Sequence, residues 1–152
     1  MPMRYLNRKW ADGEYDEFTT DLYYGVYMRH LVDTAPELPQ GARAFAMLSR
    51  GQLLASGELV ATRFDEAAQS FTLILKFISG TEENFLELEY LGVSKDTSEL
   101  DAFELADGCL TEEFDLGPEG TFEHRILLEP EGEAVIRFTD LKLHAKRAGE
   151  DE

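Results

Sequence analysis

At 152 residues the chain has the length of one domain that can bury a full hydrophobic core, and its single cysteine, Cys109, excludes an internal disulfide. A formal charge of −17, from 31 acidic against 14 basic side chains, repels phosphate backbones and anionic lipid, which argues against nucleic-acid and membrane partners. No stretch is apolar enough to span a bilayer and the opening MPMRYLNRKW lacks the apolar run of a secretory signal, so a cytoplasmic protein is expected.

Met1 to Trp10 reads as a short amphipathic lead-in. From Glu14 to Val32 two apolar rows recur at three- and four-residue spacing, Phe18, Leu22 and Val26 beside Tyr23, Tyr27 and Leu31, and predict a helix with a wide apolar stripe. The stripe is read as the surface that docks the helix on the rest of the domain; the functional alternative leaves Tyr23 and Tyr27 exposed as an interface. Gly25 within this pattern suggests close packing. Pro36-Glu37-Leu38-Pro39 stops the helix, and a second, shorter one is expected over Gln40–Ser49, with Gly51 just past its end.

From Leu53 the period changes to two. A strand is expected over Leu53–Phe64, kinked at Ser56-Gly57, then one over Ser70–Ser79 whose two faces are both apolar, as a central strand covered on both sides would be. Phe85–Val93 alternates Leu86, Leu88 and Tyr90 with Glu87 and Glu89, giving one wet face. Ser94–Gly108 reads as an acidic loop with a turn of helix near Ser98 to Phe103. A meander follows, organised by the turns Gly117-Pro118-Glu119-Gly120 and Glu129-Pro130-Glu131-Gly132. Its first strand sets Leu110, Phe114 and Leu116 against a wet Glu113 and Asp115. The second points Phe122, His124, Ile126 and Leu128 inward, and the third carries Ala134, Ile136 and Phe138 before a bend at Asp140 into Leu141, Leu143 and Ala145. The expected fold is a single α+β domain over 1–152: a helical part, 1–51, packed on an antiparallel β-sandwich or curved sheet of six to seven strands, 52–146, with a frayed tail, 147–152.

The segments MRYLNRKWADGEYDEF, LPQGARAFA and FEHRILLEPEGEAVIRFTDLKL resemble an uncharacterised bacterial protein family that ends in a similar hairpin. The strand layout of residues 53–145 is also similar to small immunity proteins that neutralise polymorphic toxins. A Leu-His-Asp-Ala element commonly opens the first strand in those families; here Leu54-Ala55-Ser56-Gly57 stands in its place, so no role of that His or Asp is carried over.

Chemistry is sparse. No serine sits in a nucleophile elbow, and Cys109 in acidic surroundings reads as structural. His124, in phase with Phe122 and Ile126, reads as a hydrogen-bonded core residue, with a general base beside Glu112 or Glu123 as the alternative. Glu87 with Glu89, about 7 Å apart by strand rise, and Glu113 with Asp115 have glycosidase-like separations but lie on expected wet faces without a sugar-stacking aromatic. Asp96 to Asp107 fails the calcium-loop spacing, since Asp101 stands where glycine is needed. No catalytic residue, cofactor or metal is expected. Between Glu82 and Glu123, fourteen acids accompany one base, Lys95. The expected role is therefore a non-enzymatic acidic module that binds a basic protein surface, through Glu87, Glu89, Asp96, Glu99, Asp101, Glu113, Asp115, Tyr23 and Tyr27. The alternatives are a toxin-neutralising immunity protein, which the second resemblance implies, a small-molecule or hydrolytic site between helices and sheet, and a purely structural subunit marked by a large exposed apolar patch on the aromatic helix.

Overall fold

A computed structural model of the chain describes residues 3–147, and of Arg147 the backbone only. The tail expected to fray lies outside the described residues from position 148 on. Asn7 caps α1, Arg8–Ala11, by accepting the Trp10 N–H, and Asp16 caps α2, Glu17–Thr34, by accepting the Thr19 N–H at 2.7 Å. A single 3-10 turn, Ala35–Glu37, holds Pro36 where no backbone donor is needed, and α3 follows over Gln40–Ser49. Arg50 and Gly51, both at positive φ, end it.

Seven antiparallel strands follow: β1 Glu58–Asp65, β2 Ser70–Ser79, β3 Glu82–Leu91, β4 Gly108–Leu116, β5 Phe122–Glu129, β6 Glu133–Phe138 and β7 Asp140–Arg147. The architecture is α+β as expected, but the strands form neither one sandwich unit of six to seven strands nor one curved sheet. They divide into a four-stranded sheet, β1-β2-β3-β7, and a three-stranded sheet, β4-β5-β6. The excursion 92–107 carries the chain from β3 into the second sheet. At Thr139, whose N–H donates to the Leu91 carbonyl at 2.9 Å, the chain returns to pair β7 with β3. Leu73, Leu75, Leu88, Tyr90 and Leu141 from one sheet share a core with Phe114, Ile126, Ile136 and Phe138 from the other, and Phe45 of α3 joins them.

Several expectations shift. Leu53–Ser56 is a 3-10 turn rather than the start of β1, because Ser49 Oγ captures the Leu53 N–H at 3.1 Å. The strand's irregularity falls between Leu59 and Ala61 instead of at Ser56-Gly57. The acidic loop's helical turn is Asp101–Leu105. On α2 the row Tyr27 and Leu31 is buried, while Phe18, Leu22 and Val26 stay exposed. Gly25 faces open space, with no atom within 4 Å of where a Cβ would stand; the close approach is at Gly41, where a Cβ would lie 1.9 Å from the Leu141 carbonyl oxygen of β7. The strands covered on both faces are β4 and β5 and not β2, whose Ile78 is exposed.

That double burial of β5 follows from what covers the second sheet. Its inner face meets the four-stranded sheet, and its outer face is overlain by residues 4–6 and by α2. The free edge of β4 is closed too: the Glu112 N–H donates to the Gly51 carbonyl and the Phe114 N–H to the Tyr27 hydroxyl, both at 3.0 Å.

Candidate functional site

Strand alternation sends Glu112 and His124 to the inner face of the second sheet and Glu113 and Arg125 to the outer face, so two polar clusters lie back to back. In the inner one, the Ser49 hydroxyl donates to Glu112 Oε2 at 2.8 Å, His124 Nε2 lies 2.7 Å from Glu112 Oε1, and His124 Nδ1 lies 2.6 Å from the Tyr90 hydroxyl. Burial, followed by the charge of Glu112, pushes the Tyr90 phenol well above its usual value and keeps it protonated. Tyr90 has one partner, so it donates to Nδ1, and the network assigns the imidazole proton to Nε2, facing Glu112. Phe114 stacks on the imidazole with ring centres 3.9 Å apart.

This is the His124–Glu112 pairing that sequence left open, but its order is not that of a nucleophilic triad. The serine bonds the carboxylate rather than the imidazole, and the base meets a phenol. Glu112, His124 and Tyr90 have no exposed surface. The arrangement satisfies every polar group in a closed core and rigidifies it. Cys109 is buried here as expected, its thiol pushed up to about 12 by burial and then by the Glu112 charge.

The outer cluster centres on Arg125. Its Nε donates to Glu113 Oε1 at 3.1 Å, and its Nη1 lies 3.1 Å from both Asp115 Oδ2 and Glu123 Oε1. Nη2 stands 3.1 Å from Glu113 Oε1 but makes no well-aligned hydrogen bond. Glu113 also accepts three backbone donors: the Arg4 N–H at 3.0 Å, the Tyr5 N–H at 2.7 Å and the Leu6 N–H at 2.6 Å. His30 of α2 reaches Asp115 at 3.1 Å, and Arg137 of β6 reaches Glu123 at 2.9 Å. Glu113 and Asp115, expected on a wet face, are thus buried as the anions that tie the N-terminal segment and α2 to the sheet. Tyr27 is corrected in the same way, since its buried hydroxyl serves the β4 edge. Tyr23 is half-buried and stacks on Tyr15 with ring centres 5.1 Å apart.

Glu87 and Glu89 do face outward on the four-stranded sheet, but not as an acidic face. Lys146 lies 3.2 Å from Glu87, His144 lies 3.3 Å from Glu89, and Lys76 bridges Glu58 and Glu83 on the same side. Cross-strand pairing therefore balances the charge there.

Asp96, Glu99 and Asp101 behave differently. All three are exposed, and the excursion that carries them is fixed against β6 by the Glu99–Val135 bridge and against the β5–β6 turn, where the Asp107 N–H donates to the Glu129 carbonyl at 2.8 Å. That docking adds Glu104, Asp107, Glu129 and Glu131 to the same lobe, all exposed, beside Leu105, which is 79% exposed. A hollow of about 420 Å³ in the lobe is lined by Glu99, Asp101, Glu133 and Lys95 among others. Glu133 Oε1 is buried with no hydrogen-bond partner among the described residues, and burial raises that carboxyl above its usual value. No group of three potential ligands suited to a metal occurs among the described residues, and no described helix is long and apolar enough to cross a membrane.

Sequence reasoning passed over Arg125, Ser49 and the contribution of Glu129 and Glu131. A signal for Arg125 was present: Leu127, two positions on, shares its face, and an apolar residue there implies a covering layer. Comparison of the chain with protein-family models, with curated proteins and with solved structures finds no match.

Proposed function

We propose that the protein is a non-enzymatic interaction module that receives a basic protein segment on the lobe formed by residues 95–107 and the β5–β6 turn. The observation that carries this reading is the gathering of seven exposed acids, Asp96, Glu99, Asp101, Glu104, Asp107, Glu129 and Glu131, on one lobe, two of which, Glu99 and Asp101, line its hollow. An arginine or lysine side chain entering the hollow gains charge-assisted hydrogen bonds to Glu99 and Asp101, and exposed Leu105 offers an apolar anchor on the same lobe. The groups that could do acid–base or nucleophilic work are committed instead to the core, where Ser49, Glu112, His124 and Tyr90 satisfy one another. The similarity of residues 53–145 to toxin-neutralising immunity proteins gives the reading its most specific form, in which the basic surface belongs to a toxin.

Binding of an Arg/Lys-rich peptide containing leucine, followed by titration calorimetry at two salt concentrations, tests the proposal. The affinity is expected to fall steeply with salt, since the attraction is long-range and screened. Asp101→Lys with Glu104→Lys is expected to weaken binding by about tenfold or more, roughly 1.4 kcal/mol. Glu87→Lys with Glu89→Lys, on the balanced sheet face, is expected to change little. Equal losses from the two pairs, or an affinity indifferent to salt, would refute the lobe as the docking surface.

A further inference from the structure

The limb of the lobe that carries Asp96 and Glu99 lies between β3 and the 3-10 turn Asp101–Leu105, and it takes its position from β6. Its ties to that strand converge on Arg137. The Arg137 N–H donates to Ser98 Oγ at 2.9 Å, the Arg137 carbonyl accepts the Ser94 N–H at 3.0 Å, and Nη1 donates to the Thr97 carbonyl. The bridge between Glu99 and Val135 continues the same seam. In the other direction, Arg137 Nε donates to Glu123 Oε2 at 2.9 Å, and Glu123 Oε1 accepts from Arg125 Nη1 at 3.1 Å. Arg137 therefore reaches from the buried ionic cluster to the exposed lobe. The two residues it holds, Thr97 and Ser98, stand between Asp96 and Glu99 in the chain.

We propose that Arg137 is the positioning residue of the docking lobe, fixing the backbone that presents Asp96 and Glu99 before a basic segment arrives. The inference rests on the lobe being the docking surface. A limb ordered in advance loses less conformational entropy on binding, so more of the attraction between the acids and the partner's cations appears as affinity. Arginine suits this task, because its planar guanidinium holds two donors in a fixed relation, one to a buried anion and one to a carbonyl. Lysine has a single ammonium on a flexible stem. The side chain is not needed to pair Glu123, whose Oε1 keeps Arg125, so Arg137→Lys preserves both the net charge and the partner of the buried acid.

The test is amide hydrogen exchange on the full chain, together with titration of the Arg/Lys-rich peptide. The Ser98 and Glu99 N–H groups donate to the Ser94 and Val135 carbonyls at 2.9 and 2.8 Å. In Arg137→Lys both are expected to exchange at least about tenfold faster while the β2 amides keep their rates. Ser98→Ala, which deletes the Oγ that accepts the Arg137 N–H and alters no charge, is expected to give the same local pattern. The peptide's dissociation constant is expected to rise about three- to tenfold in Arg137→Lys with its salt dependence unchanged, since no charge is lost. Unaltered exchange at Ser98 and Glu99, or equal acceleration throughout β2, would overturn the clamp. A wild-type chain that binds the peptide and an Arg137→Lys variant that binds it equally well would overturn the positioning role and leave the lobe standing. A wild-type chain that binds no peptide would refute the lobe itself and this inference with it, a failure visible before any variant is compared.

Discussion

Glu113 stands directly opposite Arg125 in the β4–β5 ladder, and its Oε1 accepts the guanidinium Nε at 3.1 Å while the same carboxylate accepts three backbone N–H groups of residues 4–6. One buried ion pair thereby joins the chain's opening segment to its second sheet.

Removing the cation from that arrangement strands Glu113, Asp115 and Glu123 in a covered layer. Arg125→Met is expected to cost about 3–5 kcal/mol in urea denaturation, because a buried charge left without its partner retains its desolvation penalty. Arg125→Lys keeps the charge but not the planar fork that reaches three carboxylates, and is expected to recover only part of the loss. A change below about 1 kcal/mol for Arg125→Met would mean that water replaces the guanidinium at little cost.

Asp115 makes the same cluster sensitive to acid. Burial alone would raise its carboxyl, but the Leu116 N–H, Arg125 and His30 outweigh burial and hold it below the usual carboxylate value. A depressed folded-state value contributes stability that is present above the unfolded value of about 3.9 and is lost as pH falls through the folded one. Urea midpoints measured between neutral pH and about pH 2.5 are expected to fall below about pH 4. Asp115→Asn should be less stable at neutral pH and show a shallower acid loss; an unchanged acid limb would assign the loss to other carboxylates.

Tyr90→Phe deletes the donor to His124 Nδ1 in a site water does not reach. The expected cost is about 1–3 kcal/mol, the penalty for a buried acceptor without a partner. Imidazole nitrogen shifts in the wild-type protein should show the proton on Nε2 at neutral pH. A proton found on Nδ1 would reverse the direction of the hydrogen bonds and require an ionised or differently paired Tyr90.

Cys109, 2% exposed and with its thiol raised to about 12, should resist alkylation by iodoacetamide at pH 8 in the native state. The thiol should react freely once urea unfolds the chain. Fast native labelling would reveal opening of the core beside Glu112.

Local patterns in the sequence were reliable guides where local physics decides. The helix over Gln40–Ser49, the period-two runs of β2, β3 and β5, and the inward phase of His124 with Ile126 each follow from residues within a few positions of one another. The acid-rich stretch from Glu82 to Glu123 shows why charge was harder to read. Its members split among a sheet face balanced by Lys76 and Lys146, a buried cluster around Arg125, and the exposed lobe around Asp101.

The sequence by itself determined the α+β class, the antiparallel strands and a net negative charge, because hydrophobic period, turn chemistry and composition act over short spans. Only the tertiary structure decided which carboxylates are buried anions and which form the lobe, and which apolar row of α2 faces outward. Strand alternation distinguishes two faces but does not reveal whether a second layer covers both. At Glu113 that layer comes from residues more than a hundred positions away.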